Sequence, residues 1–231
     1  MIRALLFDFN GVIVDDEPIH FALFQKVLAE EGIELSKEDY YSKYLGMDDH
    51  DCFAAVFQDS GKELASTLLT EMIERKAKYY EAEIRQNPPF IPGALDFIKT
   101  VADRYYLAIV SGALRREIEL LLKIGKVWEL FNAVVASEDT QHGKPNPECY
   151  QKAFDNLNRD AVPNHEMLLP NECLVLEDSI WGIEAAKAAG MPCVAITSSF
   201  SEKDLPGALL YLKNFENLES KKFFEKISKI A

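Results

Sequence analysis

Apolar residues fall into short runs bounded by turn-forming residues. Ala4 to Phe7, Leu107 to Val110, Ala133 to Val135, Leu174 to Leu176 and Cys193 to Ile196 are each too short for a helix and rich in β-forming side chains, the pattern of strands buried on both faces. Helically spaced apolar residues lie between the later runs. This alternation predicts an α/β fold, a Rossmann-like parallel sheet flanked by helices. In such sheets ligands bind beyond the carboxyl ends of the strands.

About a hundred residues separate the first two runs, far more than one crossover needs. The periodicity there is helical, so residues 17–88 are read as an inserted all-α cap and residues 1–16 and 89–231 as the core. Pro18 suits a first helical position, Ile19, Leu23 and Val27 share one face, and Gly32 can end that helix. Ser36 with Asp39 resembles an acidic capping box before Tyr40 and Tyr44. Further helices are expected at Asp49 to Gln58 and Lys62 to Ile84, and Pro92-Gly93 opens the next one. The crossings near Asp15 to Glu17 and Gln86 to Phe90 are candidate hinges for a cap that excludes water.

Composition narrows the function. Hydrophobic residues make up 48% and charged residues 27% of 231, as in a folded chain with a sizeable core. The net charge of −13 opposes nucleic acid and anionic membranes as partners, so a small anionic ligand needs a local positive site. Cys52, Cys149, Cys173 and Cys193 lack CxxC spacing and sit in apolar stretches, which fits buried free thiols and a cytoplasmic location. The start meets Asp8, Asp15 and Asp16 too soon for a signal peptide or membrane span. A monomer is expected.

Candidate chemistry collects at four strand ends. The first run delivers Asp8-Phe9-Asn10-Gly11-Val12, and the second ends in Ser111-Gly112, with Arg115 and Arg116 close behind. His142-Gly143-Lys144-Pro145-Asn146-Pro147-Glu148 follows the third, where Pro145 favours an extended Lys144 and Pro147 suits a helix start. The fourth ends in Glu177-Asp178-Ser179, followed by Gly182, Ala185, Ala186, Ala189 and Gly190. Adjacent carboxylates suit a hard cation such as Mg2+, and the small residues allow close packing of helix on sheet. Any one segment is also compatible with an ordinary turn.

Together, in this order, the four segments resemble the haloacid dehalogenase superfamily over nearly the whole chain. The similarity is greatest to members with a helical cap after the first strand, such as β-phosphoglucomutase and the phosphoglycolate and sugar-phosphate phosphatases. The resemblance implies Asp8 as a nucleophile forming an aspartyl phosphate and Lys144 as charge compensation. It implies Ser111, Gly112 and the backbone at Phe9 and Asn10 as phosphate contacts. A magnesium site of Asp8, the Asn10 carbonyl, Asp178 and Glu177 is also implied.

Asn10 departs from the pattern, because most phosphatases and mutases of this type carry there a second aspartate that protonates the leaving oxygen and deprotonates water. An amide does neither. A natural enzyme using a good leaving group or another acid, an introduced Asp-to-Asn change, and a non-hydrolytic or carbon–halogen-cleaving role are all compatible with the sequence. Asn10-Gly11 also offers little steric protection against deamidation.

In the cap, His20 and Lys76 match positions of the mutase-like members and are candidate substrate contacts, against the plainer readings of a packed histidine and a solvated lysine. His50 reads as a solvated helix start, His142 and His165 carry no role, and the pairs Tyr79-Tyr80 and Tyr105-Tyr106 read as packing. The expected function is a Mg2+-dependent phosphatase of a small phosphorylated metabolite, a sugar phosphate by resemblance. The alternatives are a β-phosphoglucomutase-like phosphotransferase and a catalytically silent phosphate- or metal-binding protein.

Overall fold

The structure is a computed structural model describing residues 1–45 and 47–230. It divides into two compact units, one of residues 1–15 and 89–231 and the other of residues 16–88. In the first, β1 (Ala4–Phe7), β2 (Tyr106–Val110), β3 (Ala133–Val135), β4 (Cys173–Glu177), β5 (Cys193–Ile196) and β6 (Leu210–Leu212) form a parallel sheet ordered β3-β2-β1-β4-β5-β6. Five strands lie where the apolar runs predict them. The half-buried β6 falls in a sixth apolar run, Ala208 to Leu212, that the sequence reading passes over.

Side chains of β1 alternate between the two faces, as the pleat requires. Ala4 and Leu6 join Ala108, Val110, Val175 and the helices Glu148–Asp160 and Ile180–Ala188 in one core. Phe7 turns the other way, its ring 6.3 Å from Phe97 of helix Ala94–Val101, which also meets Phe215 and Phe223. β1 is the central strand and is buried throughout, so the residue that follows it is held from both sides.

The second unit contains helices Glu17–Glu30, Asp49–Asp59 and Ser66–Gln86, with a short helical stretch from Lys37 that widens into a π-turn over Tyr40–Tyr44. Their apolar faces enclose Phe24, Val27, Leu28, Phe53, Val56, Phe57 and Met72. Ser36 caps as expected, its hydroxyl accepting from the Asp39 N–H. The last helix starts at Ser66 rather than Lys62, since the backbone at Ala65 is still extended, and the Lys62 ammonium donates to the carbonyls of Glu31 and Gly32. All four cysteines are free and buried. Among the described residues no helix is long and apolar enough to cross a membrane.

Candidate active site

β1 and β4 are paired in register, and the Asp8 N–H continues the ladder to the Leu176 carbonyl. This pairing fixes Asp8 beside Glu177 and Asp178. Lys144 arrives from the loop after β3 and donates to Asp8 Oδ1 at 2.6 Å, to Glu177 Oε1 at 2.6 Å and to the Val110 carbonyl at 3.2 Å. Val110 precedes Ser111, so three of the four sequence segments are tied directly and the fourth adjoins them.

Glu177 has no exposed surface. Its Oε1 also accepts from the Tyr150 hydroxyl at 3.1 Å, and its Oε2 accepts from the Asp178 N–H, the Ser179 N–H and the Ser179 hydroxyl. A buried carboxylate needs such partners. Gly182 makes room for it, since a Cβ there would overlap the Glu177 carboxyl group. Gly11 plays the matching part opposite: its φ is +75°, and a Cβ would overlap the Asp178 carboxylate.

Asp8, Glu177 and Asp178 each place one carboxylate oxygen within 4.8 Å of the others. With Lys144 as the ammonium among them, full ionisation leaves an excess of negative charge. Burial pushes the Asp8 carboxyl up to about 8 despite Lys144, with Glu177 and Asp178 adding repulsion. Burial and the charge of Glu177 push Asp178 up to about 6, against a hydrogen bond from Ser199. Burial also works against ionisation of Glu177, yet the charge and hydrogen bond of Lys144 hold it below its ordinary value. Desolvation opposes charge on Lys144, but Asp8 and Glu177 prevail and raise it. Hard oxygen donors that resist ionising together fit a divalent cation, which removes the repulsion.

The other predicted residues occupy defined places. Ser111 is buried, and its hydroxyl accepts from the Ala113 N–H at 3.0 Å. Phe9 is wholly buried and its carbonyl receives the Ile13 and Val14 N–H groups, so its side chain serves the core. Asn10 is half-buried, and Gly112 is exposed beside Ser111. Arg115 is committed to Asp139 and the Val134 carbonyl, and its N–H donates to the Glu138 carboxylate.

His20 and Lys76 meet each other within the helical unit. Lys76 is only 1% exposed, which removes the solvated reading, and it donates to Asp49 Oδ1 at 2.5 Å beside His20 Nδ1 at 2.9 Å. Its ammonium also lies 4.2 Å from the Phe24 ring centroid. The other imidazole nitrogen lies 3.3 Å from Asp16 Oδ2, which also accepts from the Tyr80 hydroxyl. A neutral ring between a donor and an acceptor accepts at Nδ1 and donates at Nε2. His50 is exposed and pairs with Asp51.

Sequence reasoning missed Tyr150, Asp49, Ser198 and Ser199. Ser198 hydrogen-bonds the Gly11 carbonyl. Both serines follow β5, a strand end where the rule for parallel sheets already points.

A parallel sheet that gathers a lysine and three carboxylates at its strand ends defines an α/β enzyme with an acidic centre able to take a metal. The chain belongs to the haloacid dehalogenase-like hydrolase family, whose profile matches residues 5–196. The phosphorylated carbohydrates phosphatase of Thermotoga maritima is 27% identical over 191 residues, covering 82% of each chain. Hexitol phosphatase B of Escherichia coli is 24% identical over 207 residues, 88% of this chain and 87% of that one. The crystal structure of β-phosphoglucomutase from Clostridium difficile superposes with a TM-score of 0.77 at 21% identity, covering 99% and 98% of the two chains, a likeness of fold.

Proposed function

We propose that this protein is a magnesium-dependent phosphatase of a phosphorylated carbohydrate, acting through an aspartyl phosphate on Asp8. The observation that carries this reading is the Lys144 ammonium held at 2.6 Å from both Asp8 and Glu177, with Asp178 alongside. The names of the curated relatives support the substrate class. The cytoplasm, with its reduced thiols, suits the four buried free cysteines.

Asp8, Asp178 and the main-chain carbonyl of Asn10 would hold the cation. Glu177 is a lesser ligand, since both its oxygens already accept from protein donors. When bound, magnesium neutralises the phosphoryl oxygens and lets an anionic nucleophile approach them. Asp8 then attacks phosphorus, the bond to the leaving oxygen breaks, and water later cleaves the acyl phosphate to regenerate the carboxylate. Lys144 keeps Asp8 aligned, and the Ser111 hydroxyl and Gly112 N–H orient the transferring group.

Asn10 cannot exchange a proton with the leaving oxygen. His20 is no ready substitute, because its ring nitrogens already face Lys76 and Asp16. Among phosphorylated carbohydrates the enzyme therefore favours those with the most acidic leaving oxygen. The test is phosphate release from a panel of sugar phosphates, with and without magnesium. Magnesium-dependent release abolished by Asp8→Asn is expected; release that survives Asp8→Asn refutes the nucleophile, and a bisphosphorylated intermediate would indicate a mutase.

A further inference from the structure

Two aromatic side chains of the sheet unit are placed unlike its others. Phe7, Phe97, Phe215 and Phe223 are buried together in its interior, whereas Trp181 is 53% and Phe200 36% exposed. Their rings meet edge to face with centroids 6.5 Å apart. Packing does not call for a tryptophan at 181: helix Ile180–Ala188 turns Gly182, Ile183, Ala185 and Ala186 inward, and Trp181 shares the exposed face with Glu184 and Lys187. Two large apolar rings kept together in water indicate a contact surface rather than a core.

Their position says what touches them. Trp181 lies three residues beyond Asp178, on the first turn after β4. Phe200 directly follows Ser199, whose hydroxyl hydrogen-bonds Asp178, and Ser198, which is bonded to the Gly11 carbonyl. The aromatic pair is thus built on the same two loops that hold one side of the carboxylate cluster.

The charges nearby define the class of ligand. The charged residues beside the pair along the chain are Glu184, Lys187, Glu202, Lys203 and Asp204, with no positive excess to hold a second phosphate. An uncharged sugar ring needs none. Its C–H face carries slight positive charge and stacks on the negative face of an indole or phenyl ring.

We propose that Trp181 and Phe200 form an aromatic subsite that stacks on the uncharged sugar ring of a phosphomonoester whose phosphoryl group lies at Asp8. This rests on the phosphatase reading above. In a Trp128→Phe background Trp181 is the one remaining tryptophan, so its emission reports the subsite directly. With magnesium present, glucose 6-phosphate is expected to change that emission. By calorimetry it should bind roughly three- to ten-fold more weakly to Trp181→Ala than to the parent protein, with Trp181→Tyr restoring most of the affinity. Inorganic phosphate, which has no ring, probes the Asp8 site alone. If phosphate binds but glucose 6-phosphate leaves the emission unchanged and binds both proteins equally, the subsite is refuted and the phosphatase reading stands. If neither ligand binds, the phosphatase reading fails and the subsite with it.

Discussion

Changing Asn10 to aspartate supplies the proton-carrying group that the site lacks, and its effect must depend on the leaving group. A sugar alkoxide cannot leave readily without a proton, and general acid catalysis of such a step is worth about 10²–10⁴-fold, or roughly 3–5 kcal/mol at 1.36 kcal/mol per decade. The acetate released from acetyl phosphate leaves as an anion and gains almost nothing from an acid. Since kcat/KM reports phosphoryl transfer to Asp8, Asn10→Asp should raise it on glucose 6-phosphate by about 10²-fold or more and leave it nearly unchanged on acetyl phosphate. Hydrolysis of the aspartyl phosphate is common to both substrates and also needs a base, so kcat should rise on both. The new carboxylate enters an acidic cluster that already resists full ionisation, so the variant should also require more magnesium for full activity. The assay is steady-state phosphate release. Equal gains in kcat/KM on the two substrates, or no gain on the sugar phosphate, would refute the reasoning.

Three further outcomes follow from the geometry. The raised Asp8 and Asp178 carboxyls, at about 8 and about 6, favour the metal-free fold most below the ordinary carboxylate range, and that advantage is lost as pH climbs through those values. The lowered Glu177 works in the opposite sense, losing its contribution as pH falls. Magnesium binds the ionised carboxylates, so the Tm increase it causes should be larger at pH 8 than at pH 5; an equal or reversed increment in differential scanning calorimetry would remove the cluster as the metal site. Gly182→Ala pushes a methyl group into the Glu177 carboxyl and should cost about 1–3 kcal/mol in urea denaturation, whereas a loss below about 0.5 kcal/mol would mean the helix simply shifts. Deamidation at Asn10 requires the Gly11 nitrogen to attack the side-chain amide, yet the Gly11 N–H is held by the Val14 carbonyl at 2.6 Å. Peptide mass spectrometry of aged folded protein should therefore show an intact Asn10 while the denatured chain deamidates, and equal rates would contradict this.

The limits of the sequence have physical causes. Short apolar runs mark strands, so β1, β3 and β5 are legible to the residue, β1 and β5 buried throughout and β3 only in part. The half-buried edge strand β6 also lies in an apolar run, Ala208 to Leu212, and is equally legible there, although the five-strand reading omits it. Asp8, Lys144, Glu177 and Asp178 are legible because parallel strands must end on one side, so short motifs at four strand ends converge without any knowledge of loops. Tyr150 is hidden because its hydroxyl reaches Glu177 from a helix whose periodicity explains the ring as core. Lys76 is hidden differently: a lysine on a helix reads as solvated, and only the contacts with Asp49, His20 and Phe24 make its burial tolerable. The π-turn at Tyr40–Tyr44 is set by long-range tethers, with Tyr40 bonded to Glu17 and Tyr44 to Asp59, which no local pattern encodes.

The nucleophile can be observed directly. Without a base at Asn10 the acyl phosphate should persist, so brief exposure to acetyl phosphate and magnesium followed by acid quench should leave a phosphoryl group on the peptide containing Asp8. Its absence from Asp8→Asn and a smaller yield in Asn10→Asp are expected. A phosphoryl group found on another residue, or formed equally well without magnesium, would contradict an aspartate made reactive by Lys144, Asp178 and a bound cation.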